Sequence, residues 1–219
     1  MLGNSKQVDS NQDGIHPDLE WAVRRHQEHP YLRPIAEHTR VAFAQVSAWV
    51  ESRACPIILD SGCGVGASSW IIAEQYPQCS VIGIDKSEFR LEKNGERGVQ
   101  ELPANLRLVR ADLIDFWILA SQNHWTLERH YLLYPNPWPK ARHFMRRFHA
   151  HPIFPTMLAL GGAFELRTNW NVYAIEFARA FEMLKGHQGL LEPWFPVKPW
   201  TPFERKYLAS GHSLVRFLA

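Results

Sequence analysis

Very little in this chain suggests an extracellular or membrane setting. Only three cysteines occur, Cys55, Cys63 and Cys79. Their odd number and the lack of any C-x-x-C pair leave no disulfide framework and suit a reducing compartment. No apolar run approaches the roughly 20 residues of a membrane-spanning helix, and the N-terminus has no signal-peptide apolar core. Neither sign of charge dominates, since 24 Lys and Arg meet 22 Asp and Glu. Global charge therefore names no partner, and its local distribution has to be read instead. Internal repeats and low-complexity tracts are also missing. What is present, 46% apolar residues in a chain of 219, is enough for one sizeable core. The expectation is a soluble cytoplasmic protein.

The first residues, Met1 to Gly14, are polar with almost nothing to bury. They read as a disordered arm that extends over residues 1–18. Residues 19–219 read as a single domain, with N-terminal helices over 19–54 and the core over 55–219. Ala42, Val46, Trp49 and Val50 recur at three- and four-residue spacing, which predicts an amphipathic helix over 35–53. An alternation then begins. Strands are expected at Ile57–Leu59, Val81–Ile84, Leu106–Val109, Tyr131–Leu133, Ala163–Arg167 and Leu214–Leu218. Helices are expected at Ser68–Gln75, Glu88–Gly98, Leu113–Gln122 and Pro152–Leu160, with Tyr173, Phe177, Phe181 and Leu184 on one face of another. Strands alternating with helices at this spacing argue an α/β fold with a doubly wound, Rossmann-like parallel sheet.

Between the first strand and its helix lies Asp60-Ser-Gly62-Cys-Gly64-Val-Gly66-Ala67. Glycines there let the backbone turn sharply and approach a nucleotide. The dinucleotide fingerprint of a dehydrogenase is also satisfied, but a carboxylate at Asp60 would repel a pyrophosphate. It suits the cationic amino-acid moiety of S-adenosylmethionine. Asp85 can hold ribose hydroxyls and Asp112 can address the adenine amino group. Turn and cap roles are the bland alternative for all three acids, yet three acids ending three successive strands favour the methyl donor.

The fourth strand runs into Tyr134-Pro-Asn136-Pro-Trp138-Pro-Lys140. Its prolines forbid helix and ladder alike, so the backbone must leave the sheet at a strand's carboxyl end, where ligands of open α/β sheets bind. No acid occurs between Glu128 and Glu165, while Arg129, Lys140, Arg142, Arg146 and Arg147 lie inside that interval. Such a stripe beside a crevice favours phosphate contact, although a solvated helix face is the commoner meaning of a charge run. Trp138 suits base stacking or packing equally; Phe144 and Phe148 read as core anchors. His143, His149 and His151 lack a carboxylate or cysteine at ligand spacing, so no metal is expected. Trp21, Trp49, Trp70, Trp117 and Trp125 read as core or interface aromatics. Pro193 to Pro202 reads as an aromatic loop walling a cleft. Thr201 and Glu204 form a helix capping pattern in their own right.

Asn136-Pro-Trp-Pro-Lys140, with Arg142-His143-x-x-Arg146-Arg147, Thr168-Asn169-Trp170 and Thr201-Pro-Phe-Glu204, resembles the bacterial tRNA (guanine-N7) methyltransferases. The resemblance runs from about Ile57 to the end. It implies a class I methyltransferase sheet, mostly parallel with an antiparallel C-terminal strand, S-adenosylmethionine as cofactor, and guanine 46 of tRNA as substrate. It further implies that Asp60, Gly62, Gly64, Gly66, Asp85 and Asp112 serve the donor and that Asn136 is catalytic. Lys140, Asn169, Thr201 and Glu204 would contact substrate, Glu204 through the N1 and N2 edge of guanine. Arg142, His143, Arg146 and Arg147 would face RNA. The family usually has Asp where this chain has Asn136 and Asn169. Two other readings fit the residues: methylation of another base or an amine, through a loop loosely like N-P-P-[YF], or a catalytically weakened RNA-binding paralogue that keeps the donor. Oligomeric state is not legible.

Overall fold

The computed structural model describes residues 3–93 and 101–219. Its elements begin with α1 (Leu19–Glu28), α2 (Glu37–Arg53), β1 (Ile57–Ser61), α3 (Ala67–Gln75), β2 (Ser80–Asp85) and α4 (Glu88–Glu92). β3 (Leu106–Arg110), α5 (Leu113–Gln122) and β4 (Leu127–Leu133) follow. After 3-10 turns at Ala141–Arg146 and Phe148–Ala150 come α6 (Phe154–Ala159), β5 (Ala163–Thr168) and α7 (Asn171–Lys185). The chain ends with β6 (Leu190–Pro193), α8 (Pro202–Ala209) and β7 (Val215–Leu218). The seven strands run in the order β3-β2-β1-β4-β5-β7-β6. By its contacts the chain divides into two compact units. One unit, called central for its place along the chain, comprises Arg33–Leu133 and Ala159–Ala163; the other, called flanking because its segments lie on either side in sequence, comprises Met1–Leu32, Tyr134–Leu158 and Phe164–Ala219.

In the central unit β3, β2, β1 and β4 are parallel, with Ile58 opposite Val81 and Leu59 opposite His130. β1 and β2 are buried along their whole lengths. That explains their continuous apolar runs, since a parallel strand covered on both faces has no polar side to show. α2 adds Phe43, Val46 and Val50 to the core, Phe43 meeting Phe116 at 5.1 Å and Trp125 at 5.0 Å. Strand order reverses between β1 and β4, the place where doubly wound sheets bind ligands.

His130 lies wholly buried in β4, its Nε2 2.8 Å from Ser61 Oγ, which also accepts the Trp117 indole N–H at 3.1 Å. Burial depresses His130 from 6.5 to about 3. An unfolded imidazole protonates at the higher value, so the stability held by the neutral ring is complete above it and is lost as pH falls toward the folded value. The thermal midpoint is expected to drop between about pH 7 and about pH 5. His130→Gln, which cannot titrate, is expected to flatten that slope in a series of thermal melts.

In the flanking unit β7 pairs antiparallel with β5 and β6, Phe217 standing opposite both Leu166 and Leu191. Phe177 on α7 anchors the core, its ring 5.2 Å from those of Phe154 and Phe164 and 5.5 Å from that of Phe217. α1 packs on α7. Trp21 is not a packed aromatic, being 55% exposed with Arg25 over its ring.

Several expectations need correction. The polar arm has no helix or strand over residues 3–14, yet it is not a loose tail. Gly3 N donates to Ala209 O at 2.7 Å and Ser5 N to Ser210 Oγ at 3.1 Å. Short polar side chains secure such a segment by satisfying backbone groups, which needs no apolar burial. Of the helix expected over 88–98, Glu88–Glu92 forms α4; residues 94–98 lie outside the described ones. β4 starts four residues before the expected strand, and β6 was not foreseen, since Leu190–Pro193 is too short and too exposed to carry a pattern. Among the described residues, no helix is long and apolar enough to cross a membrane.

Candidate functional site

β1 and β2 bring Asp60 and Asp85 to the same end of the parallel strands of the central unit. The N–H groups of Gly62 and Cys63 donate to Ile84 O at 2.8 and 2.9 Å, which fixes the start of the glycine loop against β2. Gly64 N donates to Asp85 Oδ2 at 3.0 Å and Ser87 N to Oδ1 at 2.8 Å. Asp85 therefore ties the loop to its strand; Arg90 Nη1 lies 3.5 Å from its Oδ2, and its Oδ1 keeps a further lone pair. Gly64 has φ 61° and a Cβ there would meet nothing within 4 Å, so the loop presents bare backbone to open space. At Gly66, with φ 72°, a Cβ would come within 2.8 Å of Leu108.

Asp60 departs from its expected role. It is 1% exposed, and its Oδ2 accepts the hydroxyls of Ser68 and Ser69 at 2.6 Å each. Instead of reaching a ligand openly, the carboxylate anchors the first turn of α3 and places its charge beneath the loop. Burial first, then the Asp60 and Asp85 charges, push the Cys63 thiol up, so it stays protonated and unreactive. Asp112 caps α5, its Oδ1 accepting from Ile114 N at 3.0 Å and Asp115 N at 3.2 Å, and from Arg33 Nη2 at 2.7 Å. The cap reading thus holds. Asp112 is still 37% exposed at its side chain, with Oδ2 unbonded among the described residues.

In the flanking unit, the loop after β4 turns through two non-glycine residues of positive φ, Tyr134 at 54° and Trp138 at 46°. Each such residue costs about 1–3 kcal/mol and persists only where its surroundings over-determine it. Here they do. Tyr134 N donates to Arg167 O at 2.8 Å and its hydroxyl to Glu204 Oε1 at 2.8 Å. Burial and the Glu204 charge raise the phenol far above its ordinary range, so it remains a donor. Trp138 O accepts Arg147 Nε at 3.2 Å and Nη2 at 3.1 Å. The N-terminal segment closes over the same loop: Ser10 Oγ donates to Pro139 O at 2.7 Å, and Ala141 N donates to Asn11 Oδ1 at 3.0 Å. Asn136 sits within this held frame, exposed and without a hydrogen bond among the described residues. Its amide is open to solvent.

The basic run divides. Lys140, Arg142 and Arg146 are exposed, Arg146 lying 4.7 Å over the Trp138 ring and His143 meeting that ring edge-on at 5.7 Å. Trp138 is thus packed rather than free to stack. Partial desolvation first, then the Arg146, Arg142 and Lys140 charges, lower His143, leaving it neutral at pH 7. Arg147 does not face RNA. It is fully buried, donating from Nη1 to Glu176 Oε2 at 2.6 Å and from Nη2 to Gln12 Oε1 at 3.1 Å. Its guanidinium is claimed by the interior acid and the loop carbonyl. Glu176 also takes His149 Nε2 at 2.8 Å, Gln12 Nε2 at 2.6 Å and His16 N at 2.8 Å. Burial alone would raise Glu176, but the His149 bond and the Arg147 charge outweigh it and hold the acid at about 2. Among the described residues no group of His, Cys, Asp and Glu is arranged to hold a metal.

Glu204 is also corrected. It is fully buried; its Oε1 accepts from Tyr134 Oη, Arg167 Nη1 at 3.2 Å and Trp194 Nε1 at 2.9 Å, and its Oε2 from Trp200 N at 2.6 Å. Four donors leave it no guanine edge to read. Thr201 caps α8 through Glu204 N at 3.0 Å, so the capping reading wins for this pair. Asn169 is half-buried, its amide 3.0 Å from His212 Nδ1, whose Nε2 donates to Ser5 O at 3.0 Å. Of the expected substrate residues, Asn136, Lys140, Arg142 and Arg146 are open to a partner. Sequence reasoning missed Glu176 and Arg33. Glu176 had a signal, as an acid on the apolar face of α7 beside Tyr173 and Phe177. Arg33, paired with Asp112 and Asp115, had none.

A family model described as "Putative methyltransferase" matches residues 54–217. The tRNA (guanine-N(7)-)-methyltransferase of Acinetobacter baylyi is 32% identical over 173 residues, covering 74% of this chain and 69% of that protein. The chain belongs to the tRNA (guanine-N7)-methyltransferase family. Among solved structures, the 16S rRNA methyltransferase KamB is similar in fold at a TM-score of 0.59 and 17% identity, covering 86% of this chain and 95% of that one. The 16S rRNA (adenine(1408)-N(1))-methyltransferase from Catenulisporales acidiphilia, solved as a tryptophan-to-alanine mutant with cosubstrate SAM, matches at a TM-score of 0.56 and 17% identity, covering 79% and 90%.

The methyltransferase loop fits the donor of its family, S-adenosylmethionine. Bare backbone at Gly64 leaves space for a ligand, and beside it Asp85 Oδ1 keeps an acceptor site of the kind a ribose hydroxyl uses. Asp112 Oδ2 would serve as an acceptor for an amino group. The buried carboxylate of Asp60 puts negative charge beneath the loop, which would suit a cationic moiety.

Proposed function

We propose that this methyltransferase transfers a methyl group to N7 of guanine in tRNA, with position 46 as the target. The observation that carries the reading is the held loop with its exposed Asn136 amide, flanked by the open cations Lys140, Arg142 and Arg146 in a chain of this family. When bound, S-adenosylmethionine supplies an electrophilic methyl group on a sulfonium. Guanine N7 is already an unprotonated lone pair at neutral pH, so the protein needs no general base. The N7–methyl bond forms as the sulfur–methyl bond breaks, sulfur keeps the electron pair, and the purine becomes cationic. The chain's task is orientation, together with tolerance of that new charge. Asn136 offers one acceptor and two donors, which orient a base without adding a carboxylate. The cations hold phosphate and position the RNA without reading it. A tRNA substrate and three free cysteines support a cytoplasmic location.

Mass spectrometry of tRNA nucleosides after incubation tests the proposal: 7-methylguanosine is expected, and its absence despite donor binding sinks it. Asn136→Ala is expected to lower kcat by about 10- to 100-fold with donor affinity unchanged. Asn136→Asp, which restores the carboxylate usual in the family, is expected to leave donor binding alone and to change the methylation rate.

A further inference from the structure

The loop between β6 and α8 carries side chains that the site above does not use. Phe195 is 82% exposed and Val197 fully so, both at the tip of Trp194-Phe-Pro-Val-Lys-Pro-Trp200. Phe203, on the first turn of α8, is exposed as well. Apolar side chains grouped this way mark a contact surface rather than chance exposure.

The tip is held out on a rigid base. Trp194 N donates to Leu214 O at 2.8 Å, its indole N–H reaches Glu204 at 2.9 Å, and Trp200 N reaches Glu204 at 2.6 Å. The Arg167 guanidinium lies 4.4 Å from the Trp194 ring and 4.0 Å from the Trp200 ring. Pro196 and Pro199 restrict what lies between. A tip fixed at both ends loses little entropy on binding.

Charge selects the occupant. Between residues 193 and 212 the only acid is Glu204, which is buried. Every exposed formal charge there is therefore positive: Lys198, Arg205 and Lys206, none paired with an acid among the described residues. Aromatic exposure with unopposed cations is the composition of single-stranded RNA platforms, where bases stack and phosphates are held alongside.

We propose that the β6–α8 loop is an RNA-docking surface on which Phe195 stacks against an unpaired base while Lys198, Arg205 and Lys206 hold neighbouring phosphates. The inference rests on the RNA substrate proposed above and adds a second contact, apart from the Asn136 loop. It is tested with the full chain and a tRNA transcript by fluorescence anisotropy at several salt concentrations. Phe195→Ala is expected to raise Kd by about 5- to 100-fold, with the thermal midpoint and S-adenosylmethionine affinity unchanged. Lys198→Ala and Arg205→Ala are each expected to reduce the slope of log affinity against log salt by about 1. An unchanged Kd in Phe195→Ala, while the wild type binds and methylates the tRNA, overturns the docking surface and leaves the proposed function standing. A wild type that binds no tRNA overturns both. Sedimentation velocity gives the remaining outcome: a self-associated wild type made monomeric by Phe195→Ala, with tRNA affinity intact, assigns the tip to a second copy of the chain and overturns the RNA reading.

Discussion

Replacing Glu176 by Ala is expected to destabilise the flanking unit by about 3–5 kcal/mol, the cost of stranding a buried charge. Glu176 receives Arg147, His149, Gln12 and the His16 N–H, and both it and Arg147 are fully buried. Without the acid, the guanidinium keeps the Trp138 carbonyl, the Gln12 amide and the faces of Trp170 and Phe144, and no counter-charge among these. Arg147→Ala is expected to cost a similar amount, and the double variant less than the sum, because the second truncation removes a group already orphaned. Urea unfolding of the three variants measures this; additive losses would show that the pair is not a unit. Since Arg147 also holds Trp138 O, the variants are expected to slow methylation even under conditions where they remain folded.

Asp85→Ala is expected to weaken S-adenosylmethionine binding by roughly 30-fold or more, from one or two lost charge-assisted bonds at about 1.5–3 kcal/mol each. Two effects combine. The ribose loses its acceptor, and the Gly64 N–H loses the partner at 3.0 Å that sets the loop. Asp85→Asn separates them, since its oxygen still accepts one bond and its shape is kept. Calorimetry on the folded variants decides: unchanged donor affinity in Asp85→Ala would remove Asp85 from the donor site.

The central unit was legible because its signals are local. Ile57–Leu59 and Val81–Ile84 are uninterrupted apolar runs, and the acids and glycines at their ends follow directly in the chain. The flanking unit hid more, because its decisive contacts join residues far apart in sequence. Nothing near Arg147 shows that Glu176 will neutralise it, so a buried arginine read as part of a surface stripe. Glu204 hid its burial for the same reason: its side-chain donors come from Tyr134, Arg167 and Trp194, while the Trp200 N–H and the Thr201 cap are local. Gln12 and His16 belong to a stretch whose composition predicts disorder, yet each bonds to Glu176. The exposure of Lys140, Arg142 and Arg146 was legible because exposure is the default for a long cationic side chain.

The division of the chain has a consequence for how it is made. The central unit draws almost entirely on one continuous stretch, Arg33–Leu133, so most of it can close while the ribosome is still adding the remainder. The flanking unit draws on segments from either side of that stretch in sequence, residues 1–32 before it and 134–158 and 164–219 after it. Gly3 and Ser5 emerge well before their partners Ala209, Ser210 and His212. Contacts of such long range form slowly. The segment carrying Gly3 and Ser5 therefore stays unpaired and polar until its partners, 205 and 207 residues on from Ser5, have been made. A segment rich in Asn, Ser, Gln and Asp can do so without aggregating, so the same composition serves the unfinished chain as well as the finished one.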